Sequence, residues 1–195
     1  IHASIGPMRA LSEATKTYLS STSNPMSGLS WSKNTIAACD MFERVTRRYA
    51  KPTFDLDRTV VNDEVVSVHE KIVWKKPFCQ LIHFERSISR AHTNDPKLLI
   101  VAPMSGHYAT LLRGTVEAFL PHHEVYITDW IDARMVSMAE GKFDLDDYVD
   151  YIKDMLHHLG EGVHVMGVCQ PSVPVIAAVA RMDAENDSCT PRSMT

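Results

Sequence analysis

The sequence has few of the features that mark secreted, membrane or nucleic-acid-binding proteins. It has only four cysteines and no CxxC pair, so we expect reduced thiols, no disulfide framework and no zinc site. No metal and no cofactor is expected. It has no long apolar run and no basic region leading into one at its start, so we expect no secretory leader, no membrane span and a cytoplasmic location. The net charge of −4 argues against a nucleic-acid partner.

The remaining composition is that of a globular domain. The chain has 195 residues, of which 45% are hydrophobic and 23% charged, enough for one buried core. Residues 1–33 carry serines, glycines and two prolines, and predict an irregular arm with a short helix over 8–19. We expect residues 34–195 to belong to a single domain. The start at Ile1 and the polar stretch 184–195 lead us to expect a fragment of a longer protein.

The first half of this domain predicts a helix and then antiparallel strands. Apolar residues recur at helical spacing over 34–51, with arginines near the carboxyl end, where the helix dipole favours cations. Residues 64–70 and 71–84 mix β-branched and aromatic side chains in short runs. Two or more antiparallel strands fit this composition.

From residue 97 onward, strands and helices alternate. We predict strands over 98–102, 124–128 and 163–168, and helices over 107–119, 145–159 and 171–182. Asp144 and Asp147 suit the start of the second helix and Gly160 its end. The third helix has no polar face, so we expect it to be buried. This alternation predicts a parallel sheet covered on both faces, in the order of an α/β-hydrolase fold.

The turn after the strand 163–168 carries the candidate nucleophile. Cys169 lies between an apolar strand and an apolar helix, the place of a nucleophile elbow. Because the thiolate is the attacking species, Cys169 needs an adjacent base or a positive helix end. The backbone N–H of Gln170 would then donate to the oxyanion. Pro171 has no N–H, but an N–H in the first helical turn would have no partner within the helix.

A second oxyanion donor is expected from the loop after the strand 98–102. There Met104, Ser105, Gly106 and His107 form a small turn whose glycine allows close approach of a ligand. His107 could act as the base, although a surface histidine at a helix start is the simpler interpretation. Ser105 and Ser172 are alternative nucleophiles, and Ser172 is expected to point away.

Other residues have structural and functional interpretations side by side. A cysteine after a buried strand can be an inert core residue, but the strand, turn and helix around Cys169 favour catalysis. Asp129 and Asp132 are expected in a loop near the mouth of the site, beside Trp130. Methionines 135 and 138 and Phe143 can be ordinary packing or an apolar lip for a hydrophobic substrate. We expect the later histidines to be solvated or packing residues; they are His122, His123, His157, His158 and His164.

Three segments carry a family resemblance: residues 98–108 (LLIVAPMSGHY), 125–130 (VYITDW) and 165–172 (VMGVCQPS). Together they resemble the intracellular polyhydroxyalkanoate (polyhydroxybutyrate) depolymerases of the α/β-hydrolase superfamily. The resemblance implies cytoplasmic hydrolysis of a stored polyester at the polymer granule surface, with Cys169 as nucleophile. Met104, His107 and Trp130 are candidate substrate contacts. The domain 34–195 would then be the N-terminal part of a hydrolase domain.

The same resemblance implies what this chain does not supply. Family members continue past the nucleophile with further strands, which carry the histidine and the acid of the triad, so we expect a partner segment or second chain to provide them. Without that segment, the nucleophile strand would be left as an open edge of the sheet. Two alternatives stay open: a polymer-synthase-like acyltransferase, and a non-catalytic granule-binding protein.

Overall fold

The computed structural model describes residues 2–46, 51–88, 95–104 and 108–195. The chain divides into two compact units, Ile1–Lys51 and Pro52–Thr195. The helices are α1 His2–Ser20, α2 Ser30–Thr46, α3 Arg113–Phe119, α4 Leu145–Leu159 and α5 Ser172–Ala184. The strands are β1 Arg58–Val61, β2 Glu64–Lys76, β3 Cys79–Arg86, β4 Lys97–Val101, β5 Glu124–Trp130, β6 His164–Gly167 and β7 Ser193–Met194. Within the described ranges, no helix is both long and apolar enough to cross a bilayer.

The first unit is a pair of helices. Helix α1 contains the short helix predicted over 8–19 but runs from His2 to Ser20, where the sequence predicts a largely irregular arm. Lys16 on α1 pairs with Asp40 and Glu43 on α2, at 3.0 and 2.7 Å. Asn24 shapes the connection by donating from its side chain to Tyr18 O. Contacts between the helices therefore stabilise a segment whose serines and glycines favour a loop when the sequence is considered alone.

The second unit contains a seven-stranded mixed sheet in the order β1-β2-β3-β5-β4-β6-β7. The first three strands pair antiparallel as predicted, and β3 also pairs antiparallel with β5. The strands β5, β4 and β6 are parallel neighbours. The fold class predicted from the sequence, the N-terminal part of an α/β-hydrolase sheet, is confirmed by this arrangement.

Alternate residues of the central strands pack on opposite faces of the sheet. On β4, Leu99 and Val101 join a core formed with α4 and α5, whereas Leu98 and Ile100 join a core formed with α3. The two cores explain why β4 is an unbroken apolar run, since a strand covered on both faces has no solvent side. Helix α4 begins at the predicted cap, where Asp144 and Asp147 form a capping box.

Two expectations about the end of this unit were wrong. Helix α5 is not buried all round: Pro174, Val175, Ala178 and Met182 pack inward, but Val173 and Ile176 are 61% and 54% exposed. Composition had suggested full burial, although a helix packed on a sheet covers only one of its faces. In addition, β6 is not the edge strand, because the short β7 pairs with it in parallel.

A buried ion network ties the amino end of β5 to β3. The Arg86 side chain is fully buried and donates to Leu120 O at 3.0 Å, Asp95 at 2.8 Å and Glu124 at 2.6 Å. Glu124 also pairs with His83 Nε2 at 2.7 Å. These contacts, first with His83 and then with Arg86, lower the pKa of Glu124 below its ordinary 4.5.

Glu124 is expected to make stability depend on acid pH. Its pKa is lower in the folded state than in the unfolded state, so its stabilisation is full above pH 4.5 and is lost as the pH falls through the folded value. Glu124→Gln should therefore be less stable than the parent at neutral pH, and the difference should shrink below pH 4.5. Urea unfolding across pH measures this. Glu117→Gln, which alters an exposed pair with Arg113, is the control; a difference for Glu124→Gln that stays constant down to pH 3 would contradict the prediction.

Candidate active site

The turn from β6 into α5 has the backbone of a nucleophile elbow. Cys169 has a φ of 68°, in the left-handed region that a side chain normally avoids. The turn is closed by Ser172, whose N–H and hydroxyl both donate to Cys169 O, at 3.1 and 2.8 Å. This strained strand-to-helix turn is the one in which hydrolases expose a nucleophile. The Ser172 hydroxyl bonds within the turn, and the alternative of Ser172 as the nucleophile stays a prediction.

Gly167 allows the strand and the helix to approach closely beneath this turn. A Cβ at this position would lie 3.1 Å from Ser172 Cα and 3.2 Å from both Ser172 N and Val175 Cγ2. Two of these atoms belong to the backbone and cannot rotate away. A side chain at this position would therefore require α5 and β6 to move apart by a few tenths of an ångström.

Gly167→Ala should displace the start of α5 and the elbow with it. Overpacking of this kind costs about 1–3 kcal/mol, so the free energy of unfolding should fall by that amount. The shift should also slow the reaction of Cys169 with thiol reagents. Gly114→Ala is the control, because nothing lies within 4 Å of its added Cβ and alanine favours helix α3 by about 0.5–1 kcal/mol. Equal stability of the two variants would count against the close approach.

Cys169 is the exposed cysteine of the four. Cys79 is fully buried in the sheet, and Cys39 and Cys189 are partly buried. The alternative of an inert core cysteine therefore does not describe Cys169. The amino end of α5, with its positive dipole end, begins three residues later.

Gln170 follows Cys169 as an exposed residue outside the helix. Its carbonyl accepts a long bond of 3.4 Å from Val173 N–H, and no bond is donated by its own N–H to any described residue. Pro171 comes next, buried, with a helical φ of −62°. The arrangement is compatible with the predicted oxyanion donor, and that role of Gln170 stays a prediction.

The end of β4 lies next to the elbow. Val168 N–H donates to Val101 O at 3.3 Å, which joins the residue before Cys169 to the last residue of β4. The next residue, Ala102, is held by two side chains of β5: its N–H donates to Thr128 Oγ1, and its carbonyl accepts from Trp130 Nε1, both at 2.8 Å. The loop that follows Ala102 therefore starts beside Cys169.

The predicted residues of that loop are only partly described. Met104 is 37% exposed. Ser105, Gly106 and His107 lie outside the described residues, so the second oxyanion donor and the histidine stay predictions.

Trp130 and Phe143 belong to an aromatic cluster at the carboxyl end of β5. Trp130 packs edge-on against Tyr148 at 4.5 Å between ring centres, and Phe143 lies 4.9 Å from Phe78. Packing thus accounts for Phe143, while a substrate contact by the half-buried Trp130 stays a prediction. The two methionines of the following segment are 77% exposed at position 135 and 96% at 138, as an apolar lip would require.

Asp129 is not the loop residue expected from the sequence. It belongs to β5, is fully buried, and accepts a hydrogen bond from Gln80 Nε2 at 2.7 Å. The alternation of the strand could have revealed this, because Asp129 follows Val125 and Ile127 at even spacing and faces the same side of the sheet.

The later histidines lie away from the elbow. His122 and His123 precede β5, His157 and His158 end α4, and His164 begins β6. All five positions are at the amino edge of the parallel strands, whereas Cys169 follows the carboxyl end of β6. Burial lowers the pKa of His123, which packs edge-on against Phe119. None of these five is placed to activate the Cys169 thiol.

Comparison with known proteins finds likeness among solved structures. Neither a family model nor a curated protein matches the sequence. Naproxen esterase (carboxylesterase NP) from Bacillus subtilis is similar with a TM-score of 0.46 and 14% identity, over 66% of this chain and 42% of that one. Carboxylesterase CesB from Bacillus subtilis has a TM-score of 0.43 and 14% identity, over 66% and 42%. A predicted CIB-like hydrolase from Thermoplasma acidophilum has a TM-score of 0.41 and 12% identity, over 60% and 58%.

This chain spans about half the length of the solved structures that it matches. The assignment of the fold rests on the strand order, the two covered faces of the sheet, and the elbow between β6 and α5.

Proposed function

We propose that this protein is a carboxylic ester hydrolase in which Cys169 forms the acyl-enzyme intermediate. The observation that carries the proposal is the left-handed backbone of an exposed cysteine that follows the carboxyl end of the parallel strand β6. A non-glycine residue in this conformation costs about 1–2 kcal/mol, and such strain persists mainly at functional sites.

The reaction begins with attack of the Cys169 thiolate on the ester carbonyl carbon. The carbonyl oxygen becomes an oxyanion, to which Gln170 N–H and an N–H of the loop at Ser105 and Gly106 donate. Collapse of this intermediate breaks the ester C–O bond, and the alcohol leaves with a proton from the base. Water then attacks the thioester, which releases the acid and restores the thiolate.

The base is proposed to be a histidine outside the described residues, oriented by a carboxylate. The resemblance to the depolymerases implies that both groups belong to a segment that follows the nucleophile, in the same chain or in a partner chain. The five later histidines are compatible with this assignment, because they lie at the opposite edge of the sheet from Cys169.

The proposed substrate is a polyhydroxyalkanoate, and the proposed place of action is the granule surface in the cytoplasm. Support comes from the three sequence segments that resemble the depolymerases and from the exposed apolar side chains of Met104, Met135 and Met138. These side chains lie on segments that follow the carboxyl ends of β4 and β5, the edge that also carries Cys169. An apolar lip at this edge suits a polyester, which carries no charge along its length.

The test is to trap the intermediate. The complete protein is mixed with a soluble 3-hydroxybutyrate oligomer, quenched in acid and digested. The mass of the peptide that contains Cys169 is then measured by mass spectrometry. A gain of one acyl group, removed by hydroxylamine, is expected. The Cys39→Ser variant should give the same adduct. Ester hydrolysis with the acyl group on another residue, or on none, would contradict the proposal.

Product analysis separates hydrolysis from the alternatives. Free hydroxy acids and short oligomers released from amorphous polymer are expected for a depolymerase. Transfer of the acyl group to a polymer hydroxyl would instead identify a synthase-like acyltransferase. Tight granule binding with no adduct and no product would identify a binding protein and overturn the catalytic assignment.

A further inference from the structure

A mixed cluster of metal-binding side chains lies at the amino edge of the sheet. It consists of His157 in the last turn of α4, and Asp187 and Cys189 in the turn that follows α5. One ligand atom from each residue, an imidazole nitrogen, a carboxylate oxygen and a sulfur, lies within 4.8 Å of the other two. Cys169 follows the opposite end of β6, so this cluster is separate from the elbow.

The backbone holds these residues in place. Asp187 N–H donates to Met182 O at 2.9 Å, and Asp187 O accepts from Thr190 N–H and Oγ1 at 3.0 and 2.7 Å. Its Oδ1 accepts from Cys189 N–H at 2.9 Å, which leaves Oδ2 to face His157 Nε2 at 2.6 Å. Cys189 also packs against the core formed with α4 and α5. The three side chains therefore converge from anchored positions.

The kinds of ligand indicate which ion would fit. Imidazole and thiolate bind zinc well, whereas calcium and magnesium take oxygen ligands. Two atoms bound to zinc at 2.0–2.1 Å in tetrahedral geometry lie about 3.3 Å apart. The His157 and Asp187 atoms need to separate by about 0.7 Å from their present 2.6 Å. The exposed His157 side chain has room for this rotation.

We propose that His157 Nε2, Asp187 Oδ2 and Cys189 Sγ bind one zinc ion, with water in the fourth position. Cys189 binds as the thiolate and gives its proton to solvent. The ion would join the end of α4 to the turn after α5, and so fix the segment that leads into β7. These ligands come from the end of a helix and from a turn at least 30 residues later, so a search for CxxC pairs or for histidines one helical turn apart does not find them.

Zinc titration of the full chain tests the site. Chelator-treated protein is titrated with zinc against a chromophoric chelator, and separately with cobalt. We expect one ion per chain, together with a thiolate-to-cobalt absorption band. At free zinc 100 times the dissociation constant, the folding equilibrium constant should rise about 100-fold and the melting temperature should rise with it.

Matched variants test which side chains bind the ion. Cys189→Ser should abolish the cobalt–thiolate band, and His157→Gln should weaken zinc binding at least about 10-fold. His158→Gln, the adjacent exposed histidine, and Cys39→Ser should behave like the parent. His157 is exposed, so its variant is expected to fold even if Cys189→Ser does not, and circular dichroism checks this. No binding by the parent, or unchanged affinity in His157→Gln, would show that His157 and Asp187 form an ion pair only and would overturn the proposal.

Discussion

Replacement of Cys169 by alanine is expected to lower kcat/KM for ester hydrolysis by about 10⁴-fold or more, with the fold retained. The sulfur of Cys169 is the only protein atom that the proposed mechanism bonds covalently to substrate. Without it, oxyanion binding is the only contribution to catalysis that remains. Stability should change little, because alanine at a φ of 68° is as strained as cysteine and the side chain is exposed. Steady-state hydrolysis and thermal unfolding of the complete protein measure the two effects.

A second variant at the same position tests the strain. Cys169→Gly removes the Cβ that the left-handed backbone disfavours, so it should be inactive yet more stable than the parent by about 1 kcal/mol. Cys39→Ser is the control for loss of a thiol elsewhere and should keep its activity. Full ester hydrolysis in Cys169→Ala would remove Cys169 from the mechanism.

Arg86→Met is expected to cost about 3 kcal/mol or more of the free energy of unfolding. The arginine side chain is fully buried, and its removal takes away the donor that Leu120 O, Asp95 and Glu124 share, so that Glu124 keeps only its contact with His83. Methionine fills much of the volume of the arginine side chain but donates no hydrogen bond. Chemical unfolding followed by circular dichroism measures the loss.

Arg181→Met is the matched control for Arg86→Met. Arg181 also contacts two carboxylates, Asp150 and Glu185, but its side chain is 53% exposed. Water screens that network and can replace it, so the loss should be much smaller. Equal losses in the two variants would show that burial does not set the strength of the Arg86 network.

The parts of the fold that were predictable from the sequence are those in which one local signal agrees with the final packing. The apolar run of β4 predicted a strand buried on both faces, and the Asp144 cap predicted the start of α4. The helix predicted over 8–19 is part of α1, but its extension to His2 was missed because the stability of α1 comes from pairing with α2. The exposed face of α5 was missed because an alanine and valine composition does not say which side meets the sheet.

The candidate site was also only partly predictable from the sequence. Cys169 could be found because a strand, a turn and a helix follow one another without interruption around it. Its φ and the close approach at Gly167 are geometric and could be known only from the folded chain. The grouping of His157 with Asp187 and Cys189 depends on how the fold brings the end of α4 to the turn after α5, and neither segment shows this by itself.

The two ends of the parallel strands can be altered separately in protein engineering. The Arg86 network lies at the amino end of β5 and the elbow at the carboxyl end of β6, with β4 paired to both strands. Five extended residues such as those of β4 span about 16 Å. Changes in stability at sites this far apart usually add. Substitutions that strengthen the Arg86 network could therefore offset the destabilisation caused by substitutions around the turn at Cys169.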